Sequence, residues 1–267
     1  MTVTVAVLGA SGRMGQEVIT AIASNSQVEC TAAVVRDSSS AVGEPVAGGS
    51  GLVYSTLADA VKARPQVFID FSLPTALSDN LQAARDAGAA IVVCTTGLST
   101  EQQQELQQAG EQQRVLYAAN TSVGVNLLAE LVQLASGVLA QADIEITEAH
   151  HRHKRDAPSG TALLLGEAVA QGRQQQLADV SAGIRGDGLR GDGEIGFASI
   201  RAADIIGEHT VLLAHPGERL ELTHRVSNRN IFAKGALQAA QWLVEQETGY
   251  YQMRDMLNLQ QLLSKLA

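Results

Sequence analysis

A short basic segment in the middle of the chain carries the residue types that proton transfer requires. In the stretch EAHHRHKRDAPSGTA (148–162), every residue from His150 to Arg155 is basic or titratable near neutral pH. The chain as a whole is acidic, with a formal net charge of −9. A histidine or lysine in such a cluster can supply a proton, and the candidates are His150 and Lys154. Lys154 and His151 can also bind part of an anion.

The residues that follow predict a helix whose N-terminus binds an anion. Pro158 is expected near the first helical position, with Ser159 or Asp156 as the cap. The exposed N–H groups at a helix start attract a carboxylate, and here they belong to Ser159, Gly160 and Thr161. The segment therefore predicts a site for a small dicarboxylate that accepts a hydride on one carbon and a proton on its neighbour.

A metal site or a solvated run of charge could also account for the basic segment. A metal site would use His150, His151 and His153. However, neighbours on a strand point to opposite faces, and no cysteine or carboxylate–histidine spacing typical of zinc lies nearby. We therefore expect no metal. A solvated run of charge without a ligand stays open as the alternative to the anion site.

The N-terminal stretch VLGASGRMG predicts a phosphate-binding turn. Gly9, Gly12 and Gly15 follow a β-branched run and enter a helical pattern. Ser11 stands where the second glycine of the G-x-G-x-x-G pattern would be. The remaining glycines still permit a tight turn, with a pyrophosphate on the helix N-terminus. Arg13 adds a positive charge inside the turn.

The end of the second predicted strand indicates which dinucleotide binds. An acidic residue about 20 positions after the glycines binds the ribose 2′-hydroxyl of NAD, whereas an arginine favours the 2′-phosphate of NADP. Here Val35 is apolar, Arg36 follows it, and Asp37 comes only after the arginine. We therefore predict NADPH as the preferred cofactor, with NADH as a second and less favoured one.

Two further turns follow predicted strands of the same sheet. The turns CTTG (94–97) and AANTSVG (118–124) come at the carboxyl ends of strands, where open α/β sheets bind their ligands. Thr95, Thr96 and the backbone around Asn120 are expected to contact the nicotinamide. Turns rich in capping residues would give the same pattern without any ligand.

The composition limits the class of protein. The chain has 267 residues, 45% of them hydrophobic, which suffices for one large domain or two smaller ones. The acidic balance and a pI near 5.1 argue against a nucleic-acid partner and against an anionic membrane surface. Two cysteines, an N-terminus without a leader pattern, and no apolar run near the roughly 18 residues of a membrane span predict a cytoplasmic protein.

The order of strand-like and helical runs predicts two domains. Up to residue 121, short apolar runs alternate with helical segments, which is typical of an α/β fold with a Rossmann-type, doubly wound parallel sheet. From about residue 122, two helices, a strand and a glycine-rich stretch (183–196) lead into several strand-like runs. These predict a second, α+β domain with a mostly antiparallel or mixed sheet. The stretch NIFAKGALQAAQWLVEQETGYYQMRDML (230–257) is predicted to be helical.

Taken together, the motifs resemble the dihydrodipicolinate reductase family, also called 4-hydroxy-tetrahydrodipicolinate reductases. GASGRMG and EAHHRHKRDAPSGTA carry the resemblance. It extends over essentially the whole chain through FIDFS, TTG, AANTSVGVN, GFASIRAADIIGEHTV, GERLELTHR and FAKGALQAAQWL. The resemblance implies an enzyme of lysine biosynthesis through diaminopimelate, which uses NADPH or NADH to reduce a cyclic dicarboxylate to tetrahydrodipicolinate.

The resemblance also implies the organisation of the molecule. A discontinuous nucleotide domain, 1–121 with 231–267, would enclose a substrate domain, 122–230, whose sheet joins a homotetramer. Two positions depart from the family pattern. Val35 stands where members that use both cofactors often carry an acidic residue, and Cys94 stands where glycine is common.

Each site residue receives a role from the resemblance. His150 donates the proton and Lys154 assists as an acid. The substrate is bound by His151, Ser159, Gly160, Thr161 and Thr96. The cofactor is bound by Gly9, Ala10, Ser11, Gly12, Arg13, Met14, Arg36, Cys94, Thr95, Thr96, Ala118, Ala119, Asn120 and Thr121.

Two alternative functions compete with the reductase. One is a related Rossmann dehydrogenase that acts on another small amino or keto acid. The second is a regulatory protein that binds NADPH without catalysis. The intact set of His150, His151 and Lys154, followed by Ser-Gly-Thr, argues against both.

Overall fold

The computed structural model describes residues 2–48, 51–259 and 264, which form two compact units. The first unit contains the described residues up to Ser122 together with Asn230–Asn258, and the second contains Val123–Arg229. These limits lie within one residue of the expected junctions at 121/122 and 230/231. Leu259 and Ser264 group with the second unit. Residues 260–263 and 265–267, which the prediction assigned to the nucleotide domain, lie outside the described residues.

The first unit alternates strands and helices. Its elements are β1 Val3–Leu8, α1 Arg13–Ala23, β2 Val28–Val34, β3 Tyr54–Ser55, α2 Leu57–Ala63, β4 Val67–Asp70, α3 Leu77–Ala87, β5 Ala90–Val93, α4 Thr100–Ala109 and β6 Arg114–Tyr117. The chain returns to this unit with its last elements, α8 Asn230–Leu243, β12 Gly249–Gln252 and α9 Met253–Leu257.

The strands of the first unit form one seven-stranded sheet in the order β12-β6-β5-β4-β1-β2-β3. Every pairing in this sheet is parallel. All residues of β4 and β5 are buried, as expected for strands covered on both faces. The predicted doubly wound parallel sheet is therefore confirmed.

The structure corrects the sequence-based elements in two places. The C-terminal stretch was predicted to be helical throughout, but Gly249–Gln252 forms β12 and pairs with β6. The prediction was wrong because the strand preference of two consecutive tyrosines is a weak signal between the helix-forming residues that precede Gly249 and those that follow Tyr251. No strand or helix is predicted directly after Arg36, whereas the structure has β3 and α2 in that segment, and the Thr56 side chain caps the N-terminus of α2.

The second unit begins with a long helix and contains most of its strands toward the end. Its elements are α5 Val123–Val138, β7 Asp143–His150, α6 Gly160–Gly172, α7 Leu177–Val180, β8 Ser181–Ile184, β9 Ile195–Arg201, β10 Gly207–His215 and β11 Glu218–Val226. The five strands form a sheet in the order β11-β10-β7-β9-β8. β10 is antiparallel to both neighbours, and the β7–β9 and β8–β9 pairings are parallel. The predicted mixed sheet is confirmed.

The inner face of the second sheet, which packs against α5 and α6, changes from apolar to polar along β7. One row across the sheet is apolar and consists of Phe197, Ile146, Val211 and Leu222. Two residues further along β7, the row on the same face consists of Ser199, Glu148, His209 and His224. Polar groups thus occupy positions where the alternation of the strands would continue the core.

No helix in residues 2–48, 51–259 and 264 is long and apolar enough to cross a membrane.

Candidate active site

In the first unit, glycines shape the turn between β1 and α1. The Gly12 N–H donates to the Gly9 carbonyl oxygen at 2.9 Å. Gly9 has a φ of 73°, and a Cβ there would lie 2.6 Å from the Phe71 carbonyl oxygen. A Cβ on Gly15 would overlap the Gly9 carbonyl oxygen. Only glycine at this position therefore allows the close approach of α1 to β1.

A cavity of about 410 Å³ opens beside this turn at the carboxyl edge of the parallel sheet. Its size falls within the range of about 300–1,000 Å³ typical of ligand pockets. Of the residues predicted to bind the cofactor, the structure brings ten to its lining: Gly12, Arg13, Met14, Cys94, Thr95, Thr96, Ala118, Ala119, Asn120 and Thr121. Three lining residues were missed, namely Phe71, Ser72 and Phe232.

The remaining four predicted cofactor residues lie outside that lining. Gly9 and Ala10 fix the main chain of the turn: the Gly9 carbonyl oxygen accepts from Gly12, and the Ala10 N–H donates to the Val34 carbonyl oxygen at 3.0 Å. Ser11 is exposed on the turn itself. Arg36 is exposed just past the end of β2, next to the buried Val35.

A buried carboxylate fixes the turn that carries two of the missed residues. Asp70 at the end of β4 is fully buried, and its carboxylate accepts hydrogen bonds from the Ser72 N–H at 2.7 Å and from the Asn80 side chain at 3.1 Å. Burial raises the pKa of Asp70 more than these hydrogen bonds lower it. The motif FIDFS therefore contributes to the cavity wall through Phe71 and Ser72.

Replacing Gly15 by alanine should destabilise the first unit and weaken dinucleotide binding. The added methyl group meets main-chain atoms of Gly9 and Ala10 that cannot move without opening the turn. We expect a loss of about 1–3 kcal/mol in the free energy of unfolding, measured by urea unfolding, together with a higher Kd for NADPH. Gly186→Ala is the matched control because a Cβ there meets nothing within 4 Å. Equal effects of the two substitutions would contradict this account of the turn.

In the second unit, three charged or titratable side chains form a hydrogen-bonded chain. The Glu148 carboxylate is fully buried and lies 2.5 Å from His150 Nδ1. Its two oxygens accept hydrogen bonds from Arg201, at 2.8 Å from Nη1 and 2.7 Å from Nη2. A third bond joins Arg201 Nη2 to the Asp156 carbonyl oxygen at 2.7 Å, which ties the basic segment to β9.

The electrostatics of this chain keep Glu148 ionised. Burial opposes the charge of Glu148, but hydrogen bonds from Arg201 and His150 overcome it and hold the pKa at about 2. Burial lowers the pKa of His150 more than the neighbouring Glu148 carboxylate raises it, and the charges of Lys154 and Arg201 lower it further. At neutral pH the structure therefore pairs a carboxylate with a neutral imidazole that donates its Nδ1–H.

The start of α6 is held by a second histidine. Ser159 caps the helix, and its Oγ accepts a hydrogen bond from the Ala162 N–H at 3.2 Å. The same Oγ lies 3.0 Å from Nε2 of His209, whose ring also packs edge-on against His150 with centroids 5.1 Å apart. Burial and the neighbouring His150 lower the pKa of His209 to about 4. His209 is therefore neutral at physiological pH.

The structure settles which residue caps α6. Ser159 is the cap, as one of the two alternatives predicted. Asp156 is not a cap, and its side chain instead pairs with Lys154 at 2.8 Å. Pro158 was predicted near the first helical position, but it precedes the cap, since the helix begins at Gly160. A Cβ on the exposed Gly160 would meet nothing within 4 Å, which leaves the helix N-terminus open.

The remaining histidines of the basic segment do not converge on one point with His150. His150 is the last residue of β7 and is buried, whereas His151 and His153 follow the strand with ring centroids 6.3 Å apart. Thr161 lies in the first turn of α6 and is half-buried. Within the described part of the chain, no three His, Cys, Asp or Glu side chains are grouped to hold a metal ion.

Sequence reasoning missed Glu148, Arg201 and His209. All three lie on strands, at positions that alternate in step with buried apolar residues: Ile146 before Glu148, Phe197 before Arg201 and Val211 after His209. A polar residue on the buried side of a strand with alternating pattern could therefore have indicated a site residue. Their meeting point depends on the register of three strands, which the sequence does not reveal.

Two features are typical of dinucleotide-dependent oxidoreductases: a glycine turn between the first strand and helix of a parallel sheet, and a unit that holds a carboxylate–histidine pair beside an open helix start. Comparison with known proteins gives the family. The profile for "Dihydrodipicolinate reductase, N-terminus" matches residues 3–121, and the one for "Dihydrodipicolinate reductase, C-terminus" matches residues 124–257. The chain therefore belongs to the dihydrodipicolinate reductase family.

Individual relatives agree with this assignment. The chain is 47% identical to the 4-hydroxy-tetrahydrodipicolinate reductase of Pseudomonas fluorescens (strain SBW25), over 96% of this chain and 98% of the relative. It is 44% identical to the enzyme of the same name from Methylococcus capsulatus, over 97% and 99%. The fold matches a dipicolinate-bound dihydrodipicolinate reductase from Paenisporosarcina sp. TG-14, with a TM-score of 0.76, 23% identity and coverage of 94% and 98%.

Proposed function

We propose that the protein reduces 4-hydroxy-tetrahydrodipicolinate to tetrahydrodipicolinate with a nicotinamide dinucleotide, in the lysine pathway through diaminopimelate. Family membership and the names of its full-length relatives support the reaction. The observation that carries the proposal is a cluster at the start of α6 in an otherwise acidic chain: His150 and the capping Ser159 both contact His209, and the charge of Lys154 acts on His150.

The first unit is proposed to hold the dinucleotide. The glycine turn leaves room for a pyrophosphate at the N-terminus of α1, with Arg13 beside it, and the cavity along the turns 94–96 and 118–121 is large enough for the nicotinamide. The buried Cys94 thiol, whose Sγ lies 3.9 Å from the Val92 carbonyl oxygen, forms part of that lining. The proposed contacts are those of Gly9 to Met14, Arg36, Cys94 to Thr96 and Ala118 to Thr121.

NADPH is proposed as the preferred cofactor. The position where an acidic residue would bind a ribose 2′-hydroxyl is occupied by Val35, which is 6% exposed. Arg36 directly after it is exposed and can bind a 2′-phosphate. NADH lacks this phosphate, so it would bind more weakly.

Replacing Arg36 by alanine should weaken NADPH binding about tenfold or more while changing NADH binding less than twofold. A hydrogen bond to a charged group contributes roughly 1.5–3 kcal/mol, and only NADPH offers the phosphate. The measurement is the Kd of each cofactor by fluorescence titration. Lys62→Ala removes another exposed charge of the same unit and should change neither Kd. A loss of affinity that is equal for both cofactors would show that Arg36 does not bind the 2′-phosphate.

The second unit is proposed to bind the substrate through its carboxylates. One carboxylate accepts hydrogen bonds at the start of α6 from Ser159, Gly160 and Thr161, where the helix dipole favours negative charge. The other carboxylate is bound by His151 and Lys154. The Lys154 ammonium group would leave its ion pair with the exposed Asp156 and pair with the substrate carboxylate instead. Thr96 is proposed to contact the substrate as well as the cofactor.

The proposed reaction removes the 4-hydroxyl group of the substrate as water, and it adds a hydride and a proton to neighbouring carbons of the ring. The nicotinamide, when bound, supplies the hydride. Two substrate carboxylates near His150 raise its pKa, which opposes the effect of burial and allows the ring to carry a second proton. His150 then donates from Nε2 to the neighbouring carbon, and Lys154 stabilises the developing charge and assists as an acid.

A homotetramer in the cytoplasm is proposed from the surface of the second sheet, the cysteines and the net charge. The outer face of the second sheet carries Thr147, Ala198, Thr210 and Thr223, which form one row of small residues suited to close packing in a homotetramer. Cys30 and Cys94 are free thiols, as expected in the cytoplasm. The formal charge of −9 supports a small-molecule ligand rather than nucleic acid or an anionic membrane.

The experiment that tests the function is steady-state reduction of substrate made in situ by the preceding synthase, with NADPH and NADH compared side by side. Turnover with a clear NADPH preference is the expected result. Equal use of both cofactors would support the proposed reaction. It would contradict the proposed NADPH preference, which rests on Val35 and Arg36. Absence of turnover despite tight NADPH binding would contradict the proposed function.

A further inference from the structure

The fully buried Glu148 contacts neither the substrate carboxylates nor the cofactor in the proposed reaction. It nevertheless forms the shortest contact of His150, 2.5 Å from its Nδ1, and both its oxygens are held by Arg201. A buried carboxylate costs free energy, so a chain that needs only a folded sheet would place an apolar residue here, as it does two residues earlier with Ile146.

We propose that Glu148 is a positioning residue, which fixes His150 in the Nδ1–H tautomer and thereby reserves Nε2 as the atom that donates the proton. The proposal rests on the proposed function and adds a residue that acts through His150 without touching the substrate. Arg201 holds the carboxylate in place from β9.

The direction of each hydrogen bond determines which ring nitrogen of His150 carries a proton. An ionised carboxylate accepts hydrogen bonds and donates none, so the ring nitrogen that faces Glu148 must carry a proton. The second proton of a charged His150 can then reside only on Nε2. When Nε2 gives that proton to the substrate carbon, the imidazole is left neutral and already in the tautomer that Glu148 binds. No ring flip is required between turnovers.

The surroundings of Nε2 agree with this assignment. A Cβ on Gly207 of β10 would lie 3.2 Å from Nε2, so glycine keeps the space beside this nitrogen free of a side chain. The groups that face His150 from the neighbouring elements are Arg201 from β9, His209 from β10 and Lys154 from the loop after β7. The charges of Arg201 and Lys154 disfavour a charged His150, whereas the Glu148 carboxylate favours it.

The sharpest variant is Glu148→Gln. Its amide oxygen can still accept from Arg201, which leaves the amide NH₂ to face Nδ1 of His150. An NH₂ group donates, so Nδ1 must lose its proton, and the neutral ring must carry its proton on Nε2 instead. The substitution thus reverses the tautomer with almost no change in volume. Glu145→Gln is the matched control, since Glu145 lies on the same strand but pairs with Arg185 and Arg190 away from the site.

Two measurements test the proposal. Imidazole ¹⁵N–¹H spectra of the unliganded full chain, with His150 assigned by its loss in His150→Ala, report its tautomer and pKa. The parent should show the Nδ1–H form, and Glu148→Gln should show the Nε2–H form and a lower pKa. In turnover, Glu148→Gln should lower kcat at least about tenfold and move the alkaline limb of its pH profile to lower pH. KM and the Kd of NADPH should stay within about twofold.

Several results would overturn the proposal. One is an Nε2–H tautomer of His150 in the parent, a result that does not depend on how Glu148→Gln folds. Further ones are an unchanged His150 tautomer in Glu148→Gln, a loss confined to KM, or a loss no larger than in Glu145→Gln. The test of the proposed function is separate. Absence of turnover by the parent chain would contradict the proposed function, whereas the tautomer of His150 is read from the unliganded protein and does not depend on turnover.

Discussion

Replacing His150 by alanine is expected to lower kcat by about 10²- to 10⁴-fold, the range typical of removing a general acid. His150 is the one histidine of the basic segment that is both buried and hydrogen-bonded to a carboxylate. NADPH binding should be retained, because the proposed cofactor contacts belong to the first unit. The measurements are steady-state kinetics with synthase-generated substrate and a direct titration of NADPH.

The control for this prediction is His153→Ala. His153 is exposed, lies three residues along the same segment and has no place in the proposed chemistry. It should keep kcat within about twofold of the parent. A His150→Ala enzyme that turns over at the parent rate would rule out His150 as the proton donor and leave Lys154 as the candidate.

Replacing Arg201 by methionine is expected to have the largest effect on stability, a loss of about 3–5 kcal/mol in the free energy of unfolding. Methionine fills similar space but leaves the Glu148 carboxylate fully buried without its guanidinium partner. The loss should shrink in the double variant with Glu148→Gln, because the buried charge is then gone. Urea unfolding of all variants followed by circular dichroism measures both effects.

Arg219→Met provides the comparison for that loss. Arg219 also pairs with a glutamate, Glu221, but both side chains are largely exposed. An exposed pair contributes about 0–1 kcal/mol. If Arg201→Met were no more destabilising than Arg219→Met, Arg201 would not be compensating a buried charge, and the role of Glu148 as a fixed acceptor would lose its support.

The elements that depend on local sequence could be predicted, and the site that depends on strand register could not. The turn Gly9–Gly15 and the cap Ser159 were found because each motif is contiguous and its residue types have a specific backbone role. The parallel sheet was found because its strands are buried on both faces and read as apolar runs.

Glu148, Arg201 and His209 come from three strands, and α6, α7 and β8 lie between the first two of these strands in the chain. Their contacts are set by the β7–β9 and β7–β10 registers, and a slip of one residue would turn each side chain to the other face. Phe232 lines the cavity from α8, although it comes more than 100 residues after the turns 94–96 and 118–121. No local sequence pattern predicts that α8 brings this side chain to the cavity.

The most direct test of the central claim is to follow two hydrogen atoms into the product. With NADPH carrying two deuterium atoms at the transferring carbon, in ordinary water, the product should gain one deuterium at one ring carbon. With ordinary NADPH in deuterated water, NMR should find solvent deuterium at the neighbouring carbon. Product without cofactor-derived deuterium would contradict the account, since no hydride would then have been transferred.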